Sequence, residues 1–262
     1  MAAALRMVLA LITLGCVYLF VAHPLWFPAG VSAESVALDR NFAVAFRVLG
    51  ALFIAGQLVL ALVLMRRPAT AESKHWYGNW RIEIAWTAAI TVIFFWFNIS
   101  GGRLWSHEIA PHSAAGATQV EVTGAQFQWY FRYPGADGTF GRTDAPRWAK
   151  ADEGNPLGID PGDPAGRDDI VATQMVVPVG HTVELQLRAQ DVIHSLFIPA
   201  MRFKQDAVPG MDIHTHFTPV KVGVYEIACA ELCGIGHYRM RALVRVVSEE
   251  EFAQWLKGQA NR

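Results

Sequence analysis

Val222-Gly-Val-Tyr225-Glu-Ile-Ala-Cys229-Ala-Glu231-Leu-Cys233-Gly-Ile-Gly-His237-Tyr-Arg-Met240-Arg-Ala-Leu-Val244-Arg-Val246-Val247 sets a loop of soft metal ligands between two alternating runs. Side chains of a strand alternate between its two faces, so Tyr225, Ile227 and Cys229 share one face. Met240, Ala242, Val244 and Val246 share a face after the loop, while Arg241 and Arg245 point the other way. Both ends of the loop are therefore aimed inward, and His194 opens another strand that approaches from the side. Two thiolates, two imidazoles and a thioether can thus meet at one site. Sulfur combined with imidazole favours copper over magnesium, calcium or manganese. One Cys with two His and a Met would suggest a mononuclear blue-copper site. The second Cys lets two sulfurs bridge two metals, which points to electron transfer. A disulfide would use only Cys229 and Cys233, and a zinc site only those with His237. Neither gives Met240 a role or calls for Gly234 and Gly236, which let a tight loop fold around a metal.

Outward from this loop, residues after about 118 read as short β-branched or alternating runs separated by Gly and Pro. The expected strands are Val120–Val122, Phe127–Phe131, Ile170–Val177, Thr182–Leu187, His194–Ile198, His214–Phe217, Val222–Ala228 and Arg241–Val247. Their spacing predicts an all-β sandwich or barrel. Ser248-Glu-Glu-Glu251 forms a capping box for a short terminal helix carrying Phe252, Trp255 and Leu256. The 134–169 segment, rich in Gly, Pro and Asp, has no periodicity and reads as a long insertion with solvated acids. His214 and His216 are expected on an exposed polar strand face, and His107 and His112 at a membrane interface.

The other half of the chain is apolar. Phe42–Met65 and Ile82–Ile99 each approach the ~20 residues that cross a bilayer. Arg66, Arg67, Lys74 and Arg81 crowd the connection between them, which the positive-inside rule places in the cytoplasm. The ligand loop then lies outside. Trp80, Trp96 and Trp105 sit near segment ends, where interfacial aromatics are favoured. Met7–Ala22 fits either a third helix or a signal peptide with a cleavage site at Val31-Ser-Ala33. Gln57 in mid-span suggests a face packed on protein, and Glu83 opens the second span, where an ionisable group is a functional candidate. The formal net charge of −1 over 262 residues gives no global footprint for nucleic acid. Two of the three cysteines fall in the ligand loop, and the third, Cys16, reads as a buried thiol in an apolar run.

Asp191-Val-Ile-His194-Ser195, Lys204-Gln-Asp206-Ala-Val-Pro209-Gly210 and the Cys229–Met240 loop together resemble subunit II of haem–copper cytochrome c oxidase, over about residues 42 to 247. The resemblance implies a dinuclear copper centre, CuA, bridged by Cys229 and Cys233, with His194 and His237 each on one copper. Met240 would be a weak ligand on one copper and the Glu231 carbonyl a ligand on the other. The Glu231 carboxylate would face a magnesium ion at the interface with subunit I. Glu83, Trp86 and Thr87 match the family's Glu-x2-Trp-Thr, which places Glu83 at the mouth of a proton pathway. The family's electron-receiving tryptophan falls at Phe127 here, so Phe127 and Trp129 are both candidates to receive electrons. Pro209-Gly210-Met211 and Ile90 also depart from the usual residues, and neither touches a copper ligand.

The resulting expectation is a membrane-anchored α + all-β protein, with a transmembrane helix hairpin followed by a cupredoxin-like Greek-key β-sandwich. Residues 1–40 would hold a signal peptide or extra helix with an external linker, 41–110 the hairpin, and 111–262 the CuA domain with its 134–169 insertion. The chain would take electrons from a c-type cytochrome and pass them to haem in subunit I, beside subunit III, in a bacterial cytoplasmic membrane. A membrane-anchored copper-delivery protein is the alternative; that class is expected to show a thioredoxin-like α/β pattern.

Overall fold

The computed structural model describes residues 2–22, 28–66, 78–106, 116–144 and 154–260. The expectations for Arg67, Lys74, His107 and His112 fall outside these. The chain divides into two compact units, residues 1–28 with 38–105 and residues 29–37 with 106–262.

The first unit is helical: α1 (Ala2–Ala22), most of α2 (Ala33–Arg66), and α3 (Trp80–Leu104). α2 and α3 are long and apolar enough to cross a membrane, and their most apolar stretches bury none of their residues within the chain. Hydropathy places the start of α2 at Phe42, but capping sets it earlier. The Ser32 hydroxyl accepts from the Ser35 N–H at 3.1 Å, and the Ser35 hydroxyl accepts from the Ser32 N–H at 3.0 Å. Glu34 adds a carboxylate to that first turn, where the helix dipole favours it. α3 starts where Asn79 accepts a hydrogen bond from the Arg81 N–H at 3.0 Å. The Phe20 ring occupies the space a side chain at Gly50 would need. Leu9, Thr13, Leu58 and Met65 are among the residues lining an apolar cavity of about 290 Å³. Cys16 is half-buried on α1.

The second unit is a two-sheet sandwich. Its strands are β1 (Thr118–Ala125), β2 (Gln128–Tyr133), β3 (Ile170–Ala172), β4 (Met175–Pro178), β5 (Val183–Ala189), β6 (His194–Ile198), β7 (Phe203–Ala207), β8 (Ile213–Phe217), β9 (Gly223–Cys229) and β10 (Arg241–Val247). One sheet has the order β3-β2-β1-β5-β8 and the other β4-β10-β9-β6-β7. β1 runs parallel to β5 and β4 parallel to β10; the other pairs are antiparallel. Inward residues alternate as expected: Val120, Val122, Leu185 and Leu187 meet Leu196, Ile198, Ile227, Val244 and Val246 in one core. Fully burying each such side chain contributes roughly 1.5–3 kcal/mol. A helix, α4 (Glu249–Ala260), closes the chain, with the Ser248 hydroxyl accepting from the Glu251 N–H at 3.2 Å. Trp255 of α4 packs edge-on against Tyr133, with ring centroids 5.0 Å apart.

Several expectations need correction. Ile170–Val177 is two strands in different sheets, because the chain switches sheets at Thr173–Gln174 while its inner residues stay buried. The Tyr133 hydroxyl fixes the second piece, donating to the Val176 carbonyl at 3.0 Å and accepting from its N–H at 2.7 Å. β7 was absent from the expected strands because its Lys204-Gln-Asp206 reads as polar loop; pairing with β6 makes it an edge strand. Phe127 belongs to the β1–β2 turn rather than to a strand. His216 is buried, whereas alternation put it outside with the exposed His214. β8 runs on into Thr218 and Pro219, and these carry the Val31–Ala33 stretch, which strand periodicity does not register.

That stretch belongs to the sandwich. Ser32 forms a β-bridge with Pro219, and Val31 both donates to Ala200 and accepts from Val220. Nor are all acids of the 134–169 segment solvated. The Asp169 side chain is fully buried, accepting from Arg132 and from the Gly141 N–H at 3.0 Å. Arg132 also reaches Glu121 at 3.2 Å and the Gly141 carbonyl, so this pairing ties part of the segment to β1 and β2. A buried cation is tolerable here because its donors meet carboxylates and a carbonyl.

Candidate metal centre

β1, β5, β7 and β9 end, and β2, β6, β8 and β10 begin, at the same tip of the sandwich. The ligand loop joins β9 to β10 there, and His194 opens β6 beside it. Leu196 of β6 pairs with Cys229 of β9, so neighbouring strands fix the distance between the His194 and Cys229 positions.

The structure brings all six proposed copper ligands together. The Cys229 and Cys233 sulfurs lie 3.9 Å apart, and both cysteines are free. That is far beyond a disulfide bond of about 2.05 Å. It is also less than twice a metal–thiolate bond of about 2.3 Å, so one metal can touch both sulfurs. Around Cys229 lie His194 Nδ1 at 3.9 Å and the Glu231 carbonyl oxygen at 3.2 Å. Around Cys233 lie His237 Nδ1 at 3.6 Å and Met240 Sδ at 3.7 Å. Each sulfur thus has one imidazole and one weaker donor beside it. The set is soft, paired and rimmed by apolar strands, which suits copper. His194, Cys229, Cys233 and Met240 are buried, His237 is half-buried, and Glu231 is exposed at the edge where a magnesium ion was expected.

Electrostatics prepare the cysteines unequally. Burial alone would raise the Cys229 thiol, but hydrogen bonding with His194 and with the backbone at Ser195 and Glu231 brings it down to about 6. Burial, then the neighbouring Cys229, push Cys233 up to about 11. Metal binding takes both cysteines as thiolates, so it releases any thiol proton still held. Burial disfavours charge on His194, yet its bonds to Cys229 and Asp191 raise its pKa. Burial likewise opposes ionised Asp191, while the His194 bond and the Gln126 and Val192 N–H groups hold its pKa low. His194 Nε2 meets Asp191 Oδ1 at 2.8 Å, which leaves Nδ1 facing the sulfurs.

The two aromatic candidates occupy different places. Trp129 is fully buried, edge-on to the His194 ring at 5.8 Å, and its indole N–H lacks a hydrogen-bond partner among the described residues. Phe127 is 37% exposed and covers Gly234 and Gly236 of the ligand loop. Of the two, Phe127 is the one open to a partner surface, and Leu232, Ile235 and Tyr238 of the ligand loop are exposed as well. Gln126, which the sequence did not single out, donates from its side chain to the Cys233 carbonyl. In the helical unit, the Glu83 carboxylate lies in the first turn of α3 against Gly78, and the Arg81 guanidinium sits over the Trp80 ring at 5.4 Å.

Known proteins similar to this chain include subunits II of cytochrome c oxidase. The family described as "Cytochrome C oxidase subunit II, periplasmic domain" matches residues 160–247. The chain is 32% identical to the "Alternative cytochrome c oxidase subunit 2" of Bradyrhizobium diazoefficiens, over 98% of this chain and 92% of that protein. It is 36% identical to the cytochrome c oxidase subunit 2 of Cereibacter sphaeroides, over 68% of this chain and 61% of the relative. The crystal structure of the periplasmic domain of subunit II of cytochrome oxidase from Bradyrhizobium japonicum is similar at 31% identity, with a TM-score of 0.41. It covers 55% of this chain and 94% of that one.

Proposed function

Because this chain belongs to the cytochrome c oxidase subunit II family, and is thereby a subunit of a haem–copper oxidase, we propose that it receives electrons from a c-type cytochrome and delivers them to haem in subunit I. Subunit I, beside subunit III, would reduce oxygen to water and translocate protons. The single observation that carries this reading is the paired donor set: two sulfurs 3.9 Å apart, each with a histidine Nδ1 within 3.9 Å.

Copper bound there would supply one-electron chemistry with little structural change, since two metals sharing two thiolates spread the added charge. The protein's own residues make the place for it. Cys229 and Cys233 would bridge, and His194, His237, Met240 and the Glu231 carbonyl would complete the two coordination shells. Asp191 holds His194 in the orientation that presents Nδ1. Buried Trp129, Leu196 and Ile227 exclude water from the inner side, and exclusion of water strengthens every charge interaction within. At the outer edge, the exposed Glu231 carboxylate would hold magnesium against subunit I. Exposed Phe127 offers the donor a surface directly over the ligand loop. Glu83 would hold a proton on its carboxyl at the cytoplasmic end of α3 before it passes into subunit I.

The protein is membrane-anchored with its β-sandwich on the outer side; the bacterial cytoplasmic membrane is the proposed location. A copper-delivery protein of thioredoxin-like α/β pattern does not fit: β1 to β10 follow one another without an intervening α-helix among the described residues. In the assembled oxidase, Cys229→Ser should abolish oxygen consumption driven by reduced cytochrome c while the haem absorbance of subunit I persists. Turnover near the parent rate would contradict the proposal.

A further inference from the structure

We propose that Gln126 is a positioning residue that holds the two halves of the copper ligand set in register. This rests on the copper reading above and deepens it. Cys233 lies in the β9–β10 loop and His194 opens β6, both in one sheet, whereas Gln126 follows β1 of the opposite sheet. From there it reaches both. Its side-chain amide donates to the Cys233 carbonyl. Its backbone N–H donates to Asp191 Oδ2 at 2.7 Å, and the other oxygen of that carboxylate binds His194 Nε2 at 2.8 Å. One residue therefore fixes the peptide that carries one bridging sulfur and, through Asp191, the ring that flanks the other.

The loop needs such an outside hold. Gly234 adopts φ +127°, a conformation in which side chains are strained, so the chain directly after Cys233 has a glycine's freedom. Within the loop, His237 N–H bonds the Gly234 carbonyl at 3.1 Å and Arg239 N–H the Gly236 carbonyl at 2.9 Å. Both bonds organise the His237 side of the loop. The Cys233 carbonyl takes its bond from Gln126, and Phe127 adds a second contact by lying over Gly234 and Gly236. The chemistry requires an amide or another donor. A carboxylate of the same length accepts only, so it would set oxygen against oxygen.

The test uses the full chain in detergent, reduced and loaded with copper, followed by competition with a copper(I) chelator and by the copper EPR spectrum. Gln126→Met and Gln126→Glu should each weaken copper retention about 10-fold or more and alter the copper hyperfine pattern, the usual scale for removing a group that orients a ligand. Gln126→Lys, which restores an N–H donor of sufficient reach, should recover most of both. Thermal unfolding of the copper-free variants should stay close to the parent, because Gln126 sits in an exposed turn. A purely structural role would instead move the melting temperature and leave the hyperfine pattern alone. Gln126→Met that keeps copper within about twofold of the parent, with the same spectrum, overturns the positioning role alone. A parent chain that takes up no copper overturns the copper reading with it.

Discussion

Gly124→Ala should push on a copper ligand without touching the ligand loop. Gly124 pairs with Trp129 across β1 and β2, and its φ is not among the positive values, so alanine fits the backbone. Space is what glycine provides. A Cβ there would stand 2.8 Å from His194 Cδ2, 3.0 Å from His194 Cγ and 3.1 Å from Trp129 Cζ3. Ordinary carbon contacts lie at about 3.5–4.0 Å, so the rings must retreat by roughly half an ångström or more. His194 and Trp129 are fully buried, which leaves little room to retreat. Overpacking of this kind costs about 1–3 kcal/mol. Replacing a strand glycine returns roughly 0.5–1 kcal/mol of backbone entropy. The net loss is up to about 2.5 kcal/mol, or a melting temperature lower by up to roughly 10 °C for a unit of this size. Differential scanning calorimetry of the copper-free chain reads that loss, and the copper spectrum of the loaded chain reads the displaced imidazole. A variant as stable as the parent, with an unchanged spectrum, would refute the claim that the rings of His194 and Trp129 leave no room for a side chain there.

Arg132→Met should unfold the sandwich more easily while leaving the copper spectrum intact. It leaves the buried Asp169 carboxylate without its cation and Glu121 with Arg188 alone, at 3.1 Å, and breaking such a buried pair costs about 3–5 kcal/mol; an unchanged melting temperature would show that the pairing contributes nothing. Glu83→Gln in the assembled oxidase should slow proton uptake with the copper signal unaltered, and normal turnover would remove Glu83 from the proton route.

The ligands were legible because their chemistry lies in one short string. Cys229, Cys233, His237 and Met240 fall within twelve residues, and alternation alone aims both ends of that string inward. The helices α2 and α3 were legible from hydropathy, which registers length and charge. What stayed hidden depends on contacts between distant residues. Gln126 is a turn glutamine whose partner Cys233 is 107 positions away. Val31–Ala33 resembles a processing site in sequence, yet it is bonded to Ala200, Thr218 and Val220. Asp169 sits in a run of acids that composition marks as solvated, and its bonds to Arg132 on β2 and to the Gly141 N–H explain its burial. The Ile170–Val177 run conceals a change of sheet because both pieces keep an apolar inner face. Phe127 was flagged as a departure, but its contact with Gly234 and Gly236 required the loop to be folded first.

The most direct measurement is the copper content and EPR spectrum of the purified full chain, loaded with copper and held with one unpaired electron shared by the site. Two coppers per chain and a seven-line hyperfine pattern are expected, because two equivalent copper nuclei of spin 3/2 split one electron that way. One copper per chain with a four-line pattern, or a Cys229–Cys233 disulfide persisting in the loaded protein, would contradict a bridged pair.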